Sequence, residues 1–275
     1  MLAKSIQTDP LDGEKYRPQD ARVAAVSSDV VRAIRLVAPF VSAYKSVTKR
    51  RSLPWDPKIQ DGAGDLELFV KYLVRCLLHN LKGKAVSYAR DDTIDAKAKS
   101  SLFMMNNTYY LLEQLTLSGG SGFAAADGLV DDEDYKISSS WFREDVSNLL
   151  EGSKNAYLAQ WEELNKHLTA VDQKDLAYQK DKLLNLESGR LLKSRFSGFN
   201  EEFEKTYSVH KELTVIDPKL RVTLLEDVKG VFLNRYKKFY ANYSRIQFSK
   251  KKMDEYLKYP PQRVESMLGE MYSCY

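Results

Sequence analysis

The chain of 275 residues is poor in the side chains that carry covalent and metal chemistry: two cysteines, Cys76 and Cys274, and three histidines, His79, His167 and His210. Two cysteines cannot build a disulfide framework or a cysteine-rich zinc site, and they fit a reducing compartment. Each histidine stands alone among helix-forming residues. None has a second histidine at metal-ligand spacing, and none completes a set of nucleophile, base and orienter. The sequence therefore predicts no catalytic residue, no metal and no cofactor. His79, one residue past Leu77-Leu78, reads as a structural histidine at a helix edge. Cys76, beside an apolar stripe, reads as a small hydrophobe rather than a reactive thiol.

Glycine (13) and proline (8) are also sparse, which excludes fibrous and low-complexity classes; 43% hydrophobic and 29% charged residues describe an ordinary globular chain. No stretch approaches the roughly 18 uninterrupted apolar residues of a membrane span, and residues 1–15 lack the pattern of a secretory signal. Both absences predict a soluble, unsecreted chain. There is no repeat of fixed period.

What is abundant is helical periodicity. Leu66, Phe69, Val70, Leu73, Val74, Leu77, Leu78 and Leu81 follow an i, i+3, i+4, i+7 pattern, which predicts a helix with one buried stripe. The same spacing recurs at Tyr157, Trp161, Leu164 and Leu168, at Phe199, Phe203 and Tyr207, at Leu220, Leu224, Val228 and Val231, and at Val264, Met267, Leu268 and Met271. The chain is predicted to be all-α, with at least seven helices. Asp217-Pro218 marks a helix start, because the carboxylate can cap and proline costs nothing at the first helical position. Pro260-Pro261 starts a last helix that runs nearly to Tyr275.

Punctuation divides the chain into a weakly ordered polar segment, 1–20; a helical bundle, 21–117; a loop, 118–140; and a C-terminal helical bundle, 141–275. A shorter loop covers 51–64. Within the long loop, Gly119-Gly120-Ser121-Gly122 lacks the Gly-Lys-Ser/Thr end of a phosphate loop and follows no predicted strand, so it reads as a flexible link. The acidic run Asp131 to Asp134 lacks the alternating oxygen ligands and central glycine of a calcium loop, so it reads as a solvated cluster.

The net charge of +4 is unevenly placed: Lys211 to Arg263 holds 13 Lys/Arg against 6 Asp/Glu, leaving the rest of the chain net acidic. Aromatics are interleaved with the cations, a mixture that could stack bases or grip an anionic surface. The spacing separates them, because Tyr236, Tyr240 and Tyr243 fall on one helical face and Lys237, Lys238 and Arg245 lie off it. The adjacent lysines Lys250, Lys251 and Lys252 cannot spread over one helix face and concentrate positive potential on a loop. Against an anionic membrane surface each is worth up to roughly 1 kcal/mol, less at physiological salt.

Phe103 to Leu115, FMMNNTYYLLEQL, resembles the "F-L-x-N-N-x-x-Y-I" helix of the seventy-kilodalton subunit of the exocyst, the complex that tethers secretory vesicles to the plasma membrane; Asn106 and Asn107 carry the match. Phe196 to Phe203, FSGFNEEF, is similar to that family's "F-x-x-F-N-x-x-F-E" segment. Val215, Asp217, Leu220 and Arg221 fit its "W-x-V-x-D-x-x-L-R" helix start, with Leu213 in place of tryptophan. Tyr256-Leu257-Lys258-Tyr259, Pro261 and Val264-Glu265 resemble its "K-Y-I-K-Y-T-P-E-x-V/L-E" tail, with Glu255 in place of the first lysine.

The resemblance implies an elongated rod of stacked antiparallel helical bundles, of which this chain would supply the C-terminal portion. The family's N-terminal coiled-coil part has no counterpart here, as in a fragment or a shortened relative. It further implies a non-catalytic role, with the protein cytoplasmic and peripheral at the inner face of the plasma membrane at sites of secretion. Its implied partners are other exocyst subunits, a Rho-family small GTPase and phosphatidylinositol 4,5-bisphosphate. Of the candidate head-group ligands, Lys258 matches the tail motif; Lys250, Lys251, Lys252 and Arg263 are included for their proximity and charge. The competing readings are a diverged copy that mainly binds protein, favoured by Glu255 and Leu213, and, more remotely, a helical nucleic-acid-binding module, which would show a salt slope with oligonucleotides.

Overall fold

A computed structural model describes residues 2–37, 65–115, 139–171, 176–178 and 184–272. Among them, regular structure is helical apart from one isolated antiparallel bridge, Tyr178 to Leu184. The helices are α1 (Leu2–Gln7), α2 (Ala25–Val37), α3 (Asp65–Tyr88), α4 (Ile94–Leu115), α5 (Ser139–Glu162), α6 (Leu186–His210), α7 (Pro218–Tyr243), α8 (Met253–Tyr256) and α9 (Pro261–Gly269), with a 3-10 turn at Glu163–His167. The chain forms two compact units, Met1–Lys154 and Asn155–Tyr275, which divide within α5. The expected loop at 51–64 lies outside the described residues, as do residues 118–138 of the long loop and its glycine and acidic clusters. Ser139 and Ser140, expected in that loop, open α5 instead.

In the first unit the apolar stripe of α3 buries Leu73, Val74, Leu77 and Leu81 completely, and α4 answers with Ala98, Leu102, Phe103, Met105 and Leu111. Thr93 caps α4 by accepting from the Ala96 N–H at 3.1 Å. The first twenty residues, expected to be weakly ordered, are fixed along α3 by polar contacts. Lys84 is fully buried, and its ammonium donates to Asp9 Oδ2 at 2.6 Å, the Pro10 carbonyl at 2.7 Å and the Tyr16 carbonyl at 2.9 Å. A buried ammonium is tolerable only with all three donors satisfied, and here they are. Asn80 donates to the Asp9 carbonyl at 2.8 Å, Arg17 to Ser87 Oγ at 2.8 Å, and Tyr88 to the Pro18 carbonyl. Polar composition misled because the partners lie some seventy residues away.

The Asn106-Asn107 pair has a related task. Asn107 Oδ1 accepts from the Ala24 N–H at 3.0 Å and from Ser27 Oγ at 2.7 Å, so a side chain of α4 caps the start of α2. Asn106 donates to the Ala21 carbonyl at 2.8 Å. Ala21 has φ of 60°, a left-handed conformation that costs an alanine about 1–2 kcal/mol and needs such pinning.

The second unit is held by rings. Phe199 stacks on Tyr236 with centroids 3.9 Å apart, Phe196 on Phe248 at 5.2 Å, and Trp161 on Phe232 at 5.8 Å. Asn185 caps α6 through Ser188 N–H at 2.8 Å. Asp217 caps α7 through the N–H groups of Lys219 and Leu220 at 2.8 and 3.0 Å, with Pro218 in the first turn as expected. Arg221 folds back onto the Val215 carbonyl at 3.1 Å. The last helix departs from expectation: α9 stops at Gly269, and Tyr272 takes φ of 61°. The turn sends Tyr272 into the core, where its hydroxyl meets that of Tyr157, which also bonds His210 Nδ1. Burial lowers the His210 pKa to about 3, so the ring is neutral.

Candidate functional site at the basic C-terminal end

The candidate surface is built on a scaffold of tyrosines. Tyr236 of α7 is completely buried and donates its hydroxyl to the Tyr259 carbonyl. Asn200 of α6 donates to the carbonyls of Glu255 and Tyr256 at 3.3 and 3.0 Å, fixing the end of α8. Tyr259 packs edge-on against Phe203 at 5.3 Å. The segment from α8 to α9 is thereby tied to α6 and α7, and the exposed side chains it bears project from a rigid base.

Lys258 and Arg263 are brought together on one ring. The Lys258 ammonium lies 5.2 Å from the Tyr259 centroid and the Arg263 guanidinium 5.4 Å from it, both within the range of cation–π attraction. Lys250, Lys251 and Lys252 are exposed in the segment leading into α8. Among the described residues no ion pair engages Lys250 or Lys251, and no described contact links them to the Tyr259 ring.

Two of the five candidate cations are already engaged by carboxylates. Lys258 meets Glu204 of α6 at 2.7 Å, and Lys252 meets Glu255 at 3.1 Å. The hydrogen bond from Lys258 holds the Glu204 carboxyl below the usual carboxylate range, and the same bond raises the ammonium. Sequence reasoning missed Glu204, although it supplies the final glutamate of the "F-x-x-F-N-x-x-F-E" pattern, one residue past Phe203. It also missed Lys193 of α6, whose ammonium lies 6.0 Å from the Tyr256 ring. No sequence pattern announces that contact, since the two residues meet only in the fold.

Of the face expected to be core, Tyr236 and Tyr243 are buried and Tyr240 is half-buried; Phe239, Phe248 and Tyr259 are also buried and Tyr256 is half-buried, whereas Lys237, Lys238 and Arg245 are exposed. Elsewhere, Cys76 is buried beside Gln7, which donates to its sulfur at 3.3 Å, and burial pushes the thiol pKa up. His79 is exposed. Among the described residues no three His, Cys, Asp or Glu side chains are grouped so as to hold a metal ion, and no helix is long and apolar enough to cross a membrane.

The profile of the C-terminal family of the Exo70 exocyst complex subunit matches residues 2–270. This chain belongs to that family. It is 25% identical over 268 residues to exocyst complex component EXO70A1 of Arabidopsis thaliana, an alignment covering 95% of this chain and 38% of the relative. To human exocyst complex component 7 it is 21% identical over 272 residues, covering 98% of this chain and 34% of the relative. The chain thus spans well under half the length of these curated relatives. A solved structure of Saccharomyces cerevisiae Exo70 superposes with a TM-score of 0.60 at 18% identity, covering 99% of this chain and 50% of that one. That likeness shows the Exo70 fold.

Proposed function

We propose that this chain is the membrane-contacting part of a non-catalytic exocyst subunit, helping to tether secretory vesicles to the plasma membrane. The observation that carries this reading is the basic surface at the end of an Exo70-family domain: Lys250 and Lys251 exposed and, among the described residues, in no ion pair, with Lys258 and Arg263 gathered on Tyr259. Long cations converging on one surface suit a multiply phosphorylated head group, and phosphatidylinositol 4,5-bisphosphate is the proposed ligand of Lys250, Lys251, Lys252, Lys258 and Arg263. Other exocyst subunits and a Rho-family GTPase are the proposed protein partners, with the chain cytoplasmic and peripheral at the membrane. Several weak contacts joined in one assembly give avidity without any tight single site.

Co-sedimentation with liposomes containing or lacking the phosphoinositide tests the reading, with the Lys250, Lys251, Lys252 and Lys258 to glutamate variant alongside. Lipid-dependent binding that the variant loses supports it. Failure of the unaltered chain to bind moves the assignment to the second reading, a diverged copy that mainly binds protein. Glu255 favours that reading specifically, because it puts a carboxylate against Lys252.

A further inference from the structure

Three of the five candidate cations are held by contacts of different kinds. Arg263 rests on a ring face, which leaves its guanidinium edge available to an anion. Lys252 and Lys258 are instead each covered by a carboxylate that a phosphate would have to displace. The two carboxylates come from different places: Glu255 lies three residues along from Lys252 on α8, while Glu204 reaches Lys258 across 54 residues of sequence. The Lys258 ammonium also lies over the Tyr259 ring, 5.2 Å from its centroid, so carboxylate, ammonium and ring meet at one place.

We infer that Glu204 and Glu255 act as resident counter-ions of the basic surface, occupying Lys258 and Lys252 until a membrane phosphate group of higher charge exchanges for them. This rests on the lipid reading above and adds a regulation to it. Side-chain exposure of 47% and 44% for Lys258 and Glu204, and of 62% and 65% for Lys252 and Glu255, keeps both pairs in contact with water. Pairs so exposed are weak, so exchange is possible without unfolding any element. A phosphomonoester carries between one and two negative charges near neutral pH and presents three acceptor oxygens, against one charge and two oxygens for a carboxylate. A head group bearing phosphomonoesters therefore displaces the carboxylates more readily than one that bears none. The carboxylates lower the affinity for every anion by about the same factor, because each anion must displace the same two pairs.

The test uses the full chain and vesicles of phosphatidylcholine with either phosphatidylinositol 4,5-bisphosphate or a charge-matched amount of phosphatidylserine. Four proteins are compared: the unaltered chain, Glu204→Gln with Glu255→Gln, the lysine-to-glutamate variant above, and Asp29→Asn as a control that removes one carboxylate from the Asp29–Arg32 pair of α2. Helical circular dichroism checks that each folds. The expected result is that the double glutamine variant binds phosphoinositide vesicles about three- to tenfold more tightly, gains by a similar factor on phosphatidylserine, and loses its advantage at high salt, while Asp29→Asn stays within twofold of the unaltered chain. Binding by the glutamine variant alone overturns the inference, because the carboxylates would then block the surface rather than exchange for phosphate. If the unaltered chain binds and the lysine variant does not, but the glutamine variant matches or falls below the unaltered chain, the counter-ion role is overturned and the lipid reading stands. A gain from Asp29→Asn of half the double glutamine variant's gain or more, on a logarithmic scale, overturns it as well, since net charge would then explain the effect. If no protein binds either vesicle, both readings fall.

Discussion

The two compact units solve the same problem with different forces. In Met1–Lys154 an irregular N-terminal segment is held to α3 and α4 by buried polar side chains: Lys84 with three acceptors, Asn107 capping a neighbouring helix, Asn106 and Asn80 on backbone carbonyls. In Asn155–Tyr275 the elements are held by stacked and edge-on rings, with Phe199, Phe203, Phe232 and Tyr236 fully buried at the centre. Polar pins are directional and fail singly, because each removed partner strands the others without water. Ring packing is non-directional and fails in proportion to the volume removed. The difference also bears on the surfaces. A unit bound by rings can spend its charged residues on solvent, and the basic end lies on that unit.

Phe203→Ala should break the ring-held unit most severely. Phe203 meets Tyr207, Phe232 and Tyr259, and deletion of a buried phenyl costs about 4 kcal/mol. Urea unfolding followed by tryptophan fluorescence should show it, since Trp161 stacks on Phe232 in the same cluster. The polar counterpart is Lys84→Met, which keeps the stem volume but leaves the Asp9 carboxylate and two carbonyls without their donor. An expected loss of about 3 kcal/mol in the first unit would appear together with new proteolytic cleavage between residues 9 and 18. If Lys84→Met were neutral, the contrast between the units would weaken, and the N-terminal segment would be held without help from the buried ammonium.

Acid should act on the ring-held unit through its one deeply buried histidine. His210 ionises near 3 in the folded chain against an ordinary 6.5, because burial opposes the charged ring. The unfolded ring therefore takes up a proton that the folded one refuses, and stability falls as pH drops from about 6.5 toward 3. At two pH units below the ordinary value the loss is about 2.7 kcal/mol. Unfolding free energies of the unaltered chain and of His210→Gln, measured at pH 7 and pH 4.5, should differ in slope by that amount. Equal slopes would place the acid sensitivity elsewhere.

How far the sequence could be read follows the same division. The ring-held unit was legible, because Phe199, Phe203, Tyr236 and Val264 declare their burial by period and Asp217-Pro218 declares a helix start by local chemistry. The polar pins were not legible as such. Lys84 looks like any solvent-facing lysine, and only the fold brings Asp9 and Tyr16 to it. The Asn106-Asn107 pair stood out as a family motif, but its work on Ala21 and Ala24 is a contact over about eighty residues. The C-terminal turn at Tyr272 was missed for the opposite reason: the apolar period continues through Met271, and nothing local stops the helix. At the candidate surface the cations were visible as a charge run. Their counter-ion Glu204 and their platform Tyr259 act through tertiary contacts that composition does not encode.

The smallest expected effect gives the cleanest measure of whether the units respond separately. Gly152 of α5 and Gly230 of α7 are exposed helix-interior glycines, and a methyl group added at either would meet nothing within 4 Å. Alanine there removes backbone freedom from the unfolded chain without new contacts, so each substitution should stabilise by about 0.5–1 kcal/mol. Gly152 belongs to the first unit and Gly230 to the second. If the units unfold as independent cooperative bodies, Gly230→Ala should raise only the transition reported by Trp161, and Gly152→Ala should raise the other, followed by protease resistance of residues 9–18. A single shared transition that both substitutions move equally would show that α5, which runs through the division between the units, couples them into one cooperative body, and that the polar pins and the rings are then two supports of a single structure.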